Sequence, residues 1–360
     1  MTAAVALSGG IDSLVAAWIL KSRNIPIFGI HFITGYESAK HGYGNKGPAK
    51  SDKETKNPAY PVKRLAAQLD IPLHIIDCRR VFEKRVVQYF AETYRSGKTP
   101  NPCVLCNRVI KFGTVLEHAR KLGADRLATG HYAKIDNTGK TPLLEKGADR
   151  KKDQSYFLTM LDVSQLSRAF FPLGDLNKDQ VKKIADQKGL KPATRRESQD
   201  ICFIHKENYA KFLESRSGIR NAPGPVVDTD GNVIGRHTGL HRFTVGQRRG
   251  INCPAEAPYY VVRIEPQYNQ LVVGFKNTLY KDHCYIKRVN WLIAKPDKPI
   301  RIKAKIRYRH SEADAMLEPG PDDTAVIRFA KPQTAITPGQ AAVCYTGNIV
   351  AAGGWIENQI

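Results

Sequence analysis

The first half of the chain alternates short apolar runs with stretches in which apolar residues recur at helical spacing. An apolar run, a helix and a second apolar run form a βαβ unit, whose two strands lie parallel in one sheet. In chain order the pattern predicts a strand at 3–7, a helix at 14–20, a strand at 27–32, a helix at 62–69, a strand at 72–77, helices at 80–95 and 110–122, a strand at 124–128 and a helix at 176–188. We therefore predict an α/β fold whose N-terminal part is a doubly wound parallel sheet.

The pattern changes after about residue 206, where helical periodicity stops and short alternating strands separated by turns begin. Residues 226–234 predict a hairpin that turns on Asp230 and Gly231, and residues 259–274 predict a second hairpin. The predicted domains are an α/β catalytic domain at 1–206, a small central β-rich domain at 207–280 and a C-terminal β-barrel domain at 281–360.

Alternation is strictest at 302–310, within the predicted C-terminal domain. Apolar residues occupy every second position there, and the positions between them are Lys303, Lys305, Arg307 and Arg309. A period of two places these basic side chains on one face of a strand. We predict a strand with a basic outer face, in a small barrel or sandwich that strands at 325–330, 341–345 and 349–352 complete.

Basic residues outnumber acidic residues by a wide margin. Lys and Arg total 56 against 34 Asp and Glu in 360 residues, a formal net charge of +22. A surplus of this size favours a polyanionic partner, because each phosphate that is neutralised releases counterions. An anionic membrane could use the same charge, but the sequence contains no basic amphipathic anchor. We therefore favour a nucleic acid and expect no membrane partner.

The sequence carries no signal for export or for a membrane. No stretch reaches the roughly 20 apolar residues that a membrane-spanning helix needs, and the N-terminus enters a strand without the charged segment of a secretion signal. The seven cysteines are an odd number scattered over a long chain. This usage is typical of a reducing compartment rather than of a disulfide scaffold, so we predict a cytoplasmic protein.

Residues 8–13 read SGGIDS and lie between the first predicted strand and helix. The glycines let the backbone approach an anion, and the free N–H groups at the helix start point toward it. Asp12 would repel a phosphate unless a cation lay between them, so the loop predicts a phosphate site with Mg²⁺. The alternative is that Asp12 caps the helix and the glycines form only a turn. Six residues alone leave both interpretations open.

Two later glycine patterns look like nucleotide motifs but lack the right context. Residues 42–47 fit GxGxxG, and residues 44–51 differ from a Walker pattern at Ala49. Neither directly follows a predicted strand or opens an apolar-periodic helix. We interpret both as chance matches in a loop at 34–60.

Two further predicted strands end at the same edge of the sheet as the SGGIDS loop. Phe32 ends the second strand, and Gly130 and His131 follow the strand at 124–128. Open α/β sheets bind ligands at the carboxyl edge of their strands. His131 could equally be a hydrogen-bonded structural histidine. Residues 150–157 combine a charge cluster with groups able to contact bases, so they form either a solvated face or an RNA contact.

Three cysteines lie in distinctive surroundings. Cys103 and Cys106 follow two prolines at the start of a predicted helix, where a thiolate is stabilised, and Cys202 is flanked by basic and polar residues. A CxxC pair alone is ambiguous between redox and metal chemistry. The remaining cysteines, Cys78, Cys253, Cys284 and Cys344, are predicted to be structural.

The SGGIDS segment resembles the SGGxDS loop of the PP-loop ATP pyrophosphatases. The whole chain resembles the bacterial tRNA-specific 2-thiouridylase family from end to end. The matching segments are SGGIDS, TPNPC..CN, ATGHY, KKDQSYF, SQDICF, TVGQRRG, IRYR and TPGQAAVCY. Several such segments in the same order make the resemblance far more specific than any one of them.

The resemblance implies a mechanism. ATP at the loop adenylates the oxygen on carbon 2 of the tRNA wobble uridine, and a persulfide on Cys202 supplies the sulfur that displaces AMP. Cys106 then closes onto Cys202 in a disulfide, while a partner protein reloads the sulfur. The implied partners are tRNA and a sulfur-donor protein or hydrosulfide source, with no DNA.

The resemblance also implies site residues, carried over position by position. Catalytic roles fall to Cys106, Cys202, Cys103 and Asp12. ATP contacts fall to Ala6, Leu7, Ser8, Gly9, Gly10, Ile11, Asp12, Ser13, Phe32 and Gly130. Contacts with tRNA fall to Asn101, Pro102, Cys103, His131, Lys152, Asp153, Gln154, Arg307, Tyr308 and Gln340.

One departure from the family matters, because its members commonly carry Asp where this chain has Cys103. Together with Cys106 and Cys202, this cysteine could hold three corners of a [4Fe–4S] cluster whose fourth iron binds hydrosulfide. A harmless replacement is the weaker interpretation, since an extra thiol beside a reactive disulfide invites exchange. The persulfide relay and the cluster remain alternatives.

Two other functions compete with tRNA thiolation. A PP-loop ligase or amidotransferase acting on a small metabolite needs neither the CxxC pair nor the net charge. A non-enzymatic RNA-binding protein explains the charge but gives SGGIDS and the cysteines no role. Conversion of ATP to AMP that depends on added tRNA would separate the three.

Overall fold

The computed structural model describes residues 1–37, 60–194, 201–204, 209–219 and 221–358. The chain divides into two compact units. One comprises Met1–Arg85 and Cys103–Phe203, and the other comprises Val86–Pro102 and Ile204–Ile360. The glycine patterns at 42–51 and most of the sequence around Cys202, at 195–200, lie outside the described residues.

A five-stranded parallel sheet forms the centre of the first unit, in the order β3-β2-β1-β4-β7. Its strands are β1 (Ala3–Ala6), β2 (Ile27–Ile33), β3 (Leu73–Asp77), β4 (Arg126–Ala128) and β7 (Ala169–Phe170). All pairs are parallel, and β1 pairs with β2 on one side and β4 on the other. All four residues of β1 are buried, as expected for a strand covered on both faces. The predicted α/β class is confirmed.

Helix α1 (Ile11–Ser22) is buried around most of its circumference. Leu14, Ala17 and Leu20 pack with strand β1 and helix α2 (Tyr60–Gln68). The opposite side packs on Val181 and Ala185 of helix α9 (Lys178–Gln187). The other helices of this unit are α2 (Tyr60–Gln68), α3 (Arg79–Phe82), α6 (Leu116–Lys121), α7 (Ser155–Leu158), α8 (Val163–Ser167) and α9 (Lys178–Gln187), and a hairpin joins β5 (Ala133–Asp136) to β6 (Leu143–Lys146).

The helix predicted at 110–122 begins earlier than expected. Helix α5 spans Pro102–Cys106, a π-helical segment covers Asn107–Val115, and α6 continues from Leu116. A proline is well tolerated at the first helical position because it has no N–H to leave unpaired. The two prolines that suggested a loop therefore do not delay the helix. A second π-helical segment, Glu83–Val87, leads into α4 (Gln88–Arg95).

The second unit contains a four-stranded sheet in the order β10-β11-β8-β9. Its strands are β8 (Gly224–Val227), β9 (Val233–His237), β10 (Tyr260–Glu265) and β11 (Gln270–Gly274). Both predicted hairpins are confirmed as antiparallel pairs, and their turns use Gly231 at φ 90° and Asn269 at φ 48°. Helix α10 (Tyr209–Ser217) precedes this sheet, so the prediction that helical periodicity stops at about residue 206 is wrong by one helix.

Six antiparallel strands in the order β12-β15-β14-β13-β16-β17 form a barrel, which the pairing of β12 with β17 closes. They are β12 (Tyr280–Trp291), β13 (Ile300–Lys305), β14 (Ala313–Pro319), β15 (Ala325–Thr334), β16 (Ala341–Thr346) and β17 (Ile349–Ile356). Ile302, Ala304 and Ile327 are among the residues that fill its interior. The predicted C-terminal barrel is therefore confirmed.

The strand predicted at 302–310 is wrong at its C-terminal end. Strand β13 stops at Lys305, and the following residues turn, with His310 N–H donating to the carbonyl of Arg307 at 3.0 Å. The reason is that Ala304 pairs with Ala313 of the next strand. The residues between them must reverse the chain. The basic outer face is thus shorter than predicted, and Arg307 lies in the turn.

Within the described part of the chain, no helix is both long and apolar enough to cross a bilayer.

Candidate active site

The SGGIDS loop connects β1 directly to helix α1. The backbone φ at Gly9 is 93°, a conformation that residues other than glycine rarely adopt. Gly10 is the N-cap of the helix, and among the described residues no side chain caps this helix start. Asp12 lies in the first turn, so the interpretation of Asp12 as the cap is wrong. The N–H groups of the first turn therefore remain available to an anion.

The two loop serines have different environments. Ser13 is buried, and its hydroxyl donates to the carbonyl of Gly10 at 3.0 Å while accepting from the Ser8 N–H at 3.2 Å. The Ser8 hydroxyl, which contacts Ser13 at 3.2 Å, belongs to an exposed residue. Ser13 thus holds the loop closed, and Ser8 presents its hydroxyl at the surface.

Gly130, which follows strand β4, is pressed against the start of helix α1. A Cβ at this position would lie 2.8 Å from the carbonyl carbon of Asp12 and 2.9 Å from the backbone nitrogen of Ser13. Only glycine allows so close an approach. The structure therefore brings Gly130 to the phosphate loop, as the edge argument predicted.

The Asp12 carboxylate is held by two side chains for which the sequence predicts no role. Lys178 Nζ donates to both of its oxygens, at 2.7 and 2.9 Å, and the hydroxyl of Tyr132 donates to Oδ1 at 2.7 Å. The Lys178 side chain is 8% exposed, compared with 34% for Asp12. The one sequence signal for Lys178 is its position at a helix N-terminus, where the helix dipole disfavours a cation.

Three of the predicted ATP contacts, Ala6, Leu7 and Phe32, lie at or next to the ends of β1 and β2. Ala6 and Leu7 are buried, and Phe32 is half-buried near the end of β2. His31 Nδ1 lies 2.8 Å from the carbonyl oxygen of Leu7, which ties the two strand ends together. Ile11, the first residue of α1, is half-buried.

All seven cysteines lie in the described residues and are free thiols. Cys103 and Cys106 are half-buried on α5, and Cys202 is exposed. Burial raises the pKa of Cys106, and negative charge on Cys202, Cys103 or Cys78 raises it further. The pKa of Cys202 is raised to about 11, first by desolvation and then by Cys103. The thiols therefore share one electrostatic environment.

Burial outweighs the stabilisation of thiolates that is expected at the helix start. Although Cys202 is exposed as a residue, protein atoms around its sulfur still raise its pKa, and the pKa of Cys103 is raised by burial in the same way. A thiol with such a pKa is protonated near neutral pH. The resting cysteines are thus less reactive than the sequence suggested.

Lys111 is the positive charge that opposes this effect. It lowers the pKa of Cys103, Cys106 and Cys202. Lys111 follows Cys106 by five positions inside the π-helical segment. Residues five apart share a face in a π-helix, whereas in an α-helix the spacings that share a face are three and four. Helical periodicity read as α-helix therefore hides this lysine.

His131 is buried beside Lys111. Its Nδ1 lies 2.7 Å from Thr129 Oγ1, and its Nε2 lies 3.4 Å from Lys111 Nζ. Burial, and then the charge of Lys111, lowers the pKa of His131 well below its usual value. The imidazole is therefore neutral near pH 7. It is hydrogen-bonded, as the structural interpretation expected, and it also lies beside the lysine that faces the thiols.

Two residues that precede Cys202 in the chain are hydrogen-bonded to the SGGIDS loop. The backbone N–H groups of Ala193 and Thr194 donate to the carbonyl of Gly9 at 2.9 and 3.2 Å. Residues 195–200 lie outside the described residues. Phe203 packs edge-on against Phe82 and Tyr36. The described residues that flank 195–200 are thus held by contacts within the first unit.

The predicted RNA-contact segment at 152–154 is partly internal. Asp153 is buried, and its carboxylate accepts from the N–H groups of Gly147 and Ser155 at 3.0 and 3.1 Å. Gln154 Oε1 accepts from the N–H of Tyr132 at 3.0 Å. Lys152 is half-buried. Asp153 therefore shapes the segment.

In the second unit, Gln340 holds the backbone just before Asn101 and Pro102, two of the predicted tRNA contacts. Its side-chain amide donates to the carbonyls of Thr99 and Pro100 at 3.1 and 2.9 Å. Asn101 and Pro102 are buried. In the turn after β13, Arg307 is exposed and Tyr308 is half-buried.

No three His, Cys, Asp or Glu side chains of the described residues are grouped so that they could hold a metal ion. Cys103, Cys106 and Cys202 are among the residues to which this applies. A single metal ion therefore has no such ligand set among the described residues.

Family models match three consecutive parts of the chain. The tRNA methyl transferase HUP domain matches residues 1–206, the tRNA methyl transferase PRC-barrel domain matches 210–275, and the aminomethyltransferase β-barrel domain matches 281–356.

Full-length relatives carry a different description. The tRNA-specific 2-thiouridylase MnmA of Desulfosudis oleivorans is 46% identical over 98% of this chain and 94% of its own length. That of Syntrophotalea carbinolica is 43% identical over 98% of this chain and 97% of its own length. A 4-thiouridine synthetase in complex with RNA and ATP superposes with a TM-score of only 0.34, at 20% identity over 59% of this chain and 50% of that one.

Proposed function

The chain belongs to the tRNA-specific 2-thiouridylase family, and we propose that it is a sulfurtransferase that uses ATP to replace the carbon-2 oxygen of the tRNA wobble uridine by sulfur. The observation that carries the proposal is the full-length similarity to 2-thiouridylases. It is supported by one compact unit that contains both an SGGIDS loop and three thiols with a shared electrostatic environment. A ligase or amidotransferase for a small metabolite is not favoured.

ATP is the proposed substrate of the loop. The N–H groups at the start of α1, the backbone at Gly9 and the Ser8 hydroxyl are suited to bind its phosphates. Ala6, Leu7 and Phe32 would contact adenine, with Gly130 closing the loop from the other side. Mg²⁺, when bound, would screen the phosphate charge, and Asp12 is the loop carboxylate able to contact it.

Adenylation joins the uridine oxygen to the α-phosphorus of ATP and releases pyrophosphate. The terminal sulfur of a Cys202 persulfide then attacks carbon 2, and AMP leaves with the former oxygen. The Cys106 thiolate attacks the Cys202 sulfur, which forms a disulfide and releases 2-thiouridine. A cellular thiol reductant must reduce this disulfide, and a sulfur-donor protein must reload Cys202.

Lys111 is the residue most suited to favour the thiolates in this sequence of steps. It already lowers the pKa of all three thiols against the effect of burial. His131, neutral and 3.4 Å from Lys111, would keep the lysine oriented.

A [4Fe–4S] cluster on Cys103, Cys106 and Cys202 is the competing route for sulfur. Its support is the presence of Cys103 where the family commonly has Asp. The described residues contain no group of three such side chains that could hold a single metal ion, and iron analysis decides between the cluster and the persulfide relay.

For the tRNA we propose contacts by Asn101, Pro102, Cys103, His131, Lys152, Gln154, Arg307, Tyr308 and Gln340, with Asp153 holding the segment between them. Gln340 would act by fixing the backbone at Thr99 and Pro100. The domain boundaries at 206 and 280 and a cytoplasmic location remain predictions.

The test is a thiolation assay with purified protein, ATP, unmodified tRNA and a persulfide or sulfide donor. We expect 2-thiouridine by mass spectrometry of digested tRNA, together with AMP that forms only when tRNA is present. AMP formation without tRNA would instead indicate the small-metabolite ligase, and absence of AMP would indicate an RNA-binding protein.

Iron analysis of anaerobically purified protein separates the two sulfur routes. Stoichiometric iron that is lost in Cys103→Ser would favour the cluster. A disulfide between Cys106 and Cys202 after one turnover, without iron, would favour the persulfide relay. Cys253→Ser, a half-buried cysteine of the second unit, is the matched control.

A further inference from the structure

Lys178 is a buried lysine whose ammonium group contacts the phosphate loop. It lies 166 positions after Asp12, and it donates to both oxygens of that carboxylate at 2.7 and 2.9 Å. Its side chain is 8% exposed. A buried ammonium is costly unless it is paired and hydrogen-bonded, and here its partner is the one acidic residue of the SGGIDS loop.

The position of Lys178 is fixed against an electrostatic disadvantage. It is the first residue of helix α9, where the helix dipole repels a cation. Asn177 and Gln180 form a reciprocal capping box around it, and its own N–H donates to Asp149 Oδ2 at 2.9 Å. The helix start is thus built so that the side chain at 178 reaches Asp12.

The contact with Lys178 neutralises the negative charge of Asp12 in the loop. A carboxylate in the first turn of α1 would repel any phosphate bound at the same N–H groups, and it would also be drawn toward those groups itself. Lys178 cancels its charge, and together with the hydroxyl of Tyr132 it holds Asp12 from the side by three hydrogen bonds. The N–H groups are thereby left to the ligand.

We propose that Lys178 is a positioning residue for nucleotide binding, which acts by neutralising and orienting Asp12 within the phosphate loop. The inference rests on the proposed function in that it takes ATP as the ligand of the loop. It goes beyond that function because it assigns to Lys178 part of the positive charge that the phosphate loop needs.

The experiment is a double-mutant cycle on nucleotide affinity, measured by calorimetry with ATP in the full-length protein without tRNA. The variants are Lys178→Met, Asp12→Asn, the double variant and Lys182→Met. Lys182 is an exposed lysine of the same helix, so its variant loses the same charge without touching the loop. Thermal unfolding of each variant verifies that it is folded.

We expect Lys178→Met to weaken ATP binding by roughly tenfold or more, which corresponds to about 1.4 kcal/mol. Lys182→Met should bind as the wild type does. In the Asp12→Asn background the Lys178→Met change should have little further effect, because no carboxylate charge remains to be cancelled. A merely structural role would lower affinity equally in both backgrounds.

The inference is overturned if Lys178→Met binds as Lys182→Met does, or if its effect persists undiminished beside Asp12→Asn. It is also overturned if the wild type binds no ATP. A wild type that makes 2-thiouridine but fails the cycle refutes this inference alone. A wild type that binds ATP and passes the cycle without making 2-thiouridine refutes only the proposed function.

Discussion

The phosphate loop and the thiol site lie in the same compact unit, but they differ in how ready they are to react. In the loop, Ser13 and Lys178 satisfy the internal polar groups, and the N–H groups of α1 remain available. At the thiol site, burial keeps the cysteines protonated, and Lys111 opposes burial without overcoming it. The phosphate loop, which we call the nucleotide half, is preorganised. The thiol site, which we call the sulfur half, needs an added event such as persulfide loading or tRNA binding.

This difference has a chemical advantage. A phosphate site gains from being rigid, because binding then costs little reorganisation. Thiolates that were permanently exposed would instead be oxidised or exchange with other thiols. A raised resting pKa protects them until the substrate arrives.

Replacement of Cys202 is expected to have the largest effect, and to affect thiolation without affecting ATP binding. Cys202→Ser should lower thiolation by about three orders of magnitude or more, since in the proposed relay this residue carries the transferred sulfur. ATP affinity should be unchanged, because the loop does not use the sulfur. Initial rates of 2-thiouridine formation and calorimetry measure the two quantities, with Cys253→Ser as the control. Substantial residual thiolation would remove Cys202 from the mechanism.

The pH dependence of alkylation tests the protonated state of the sulfur half. Cys202 has a pKa raised to about 11, so its thiolate fraction should rise about tenfold per pH unit up to that value. Glutathione, as a free thiol, should level off near pH 9. The measurement is the iodoacetamide rate at Cys202 by peptide mass spectrometry between pH 7 and 10. A plateau at the same pH as glutathione contradicts the burial argument.

Gly130→Ala tests the rigidity of the nucleotide half. The added methyl group would meet the backbone of Asp12 and Ser13 at 2.8 and 2.9 Å, so the loop must shift. We expect ATP affinity to fall by about tenfold, a loss of about 1.4 kcal/mol, with unchanged alkylation of Cys202. Gly139→Ala is the control, since the nearest neighbour of its Cβ would be the carbonyl oxygen of Thr141, at 3.8 Å. Unchanged affinity in Gly130→Ala would mean that the loop is not rigid.

Lys111→Met should have the smallest effect and should act only on the sulfur half. Loss of the charge leaves burial unopposed, so the pKa of the thiols should rise further and their alkylation at pH 8 should slow by roughly threefold. ATP affinity should stay at the wild-type value. Lys182→Met controls for the loss of one charge. Faster alkylation in Lys111→Met would show that the lysine shields the thiols instead of activating them.

Local patterns predicted most of the fold. The parallel strands, both hairpins and the C-terminal barrel follow from runs and periods that a few consecutive residues contain. The errors at the element ends have different causes. Strand β13 ends at Lys305 because Ala304 must pair with Ala313 of the next strand. The helix at Cys103 begins early for a local reason, because Pro102 is tolerated at its first position.

The chemistry of the site divides in the same way. Residues 8–13 and the three cysteines can be found in the sequence, because backbone conformation and thiol chemistry belong to the segment itself. The roles of Lys178 and Lys111 depend on folding. Folding brings Lys178 to a carboxylate 166 positions away, and a π-helical turn places Lys111 on the face of Cys106. The protonation state of the thiols likewise depends on burial, which only tertiary packing creates. Burial raises the pKa of the thiols more than the helix N-terminus lowers it.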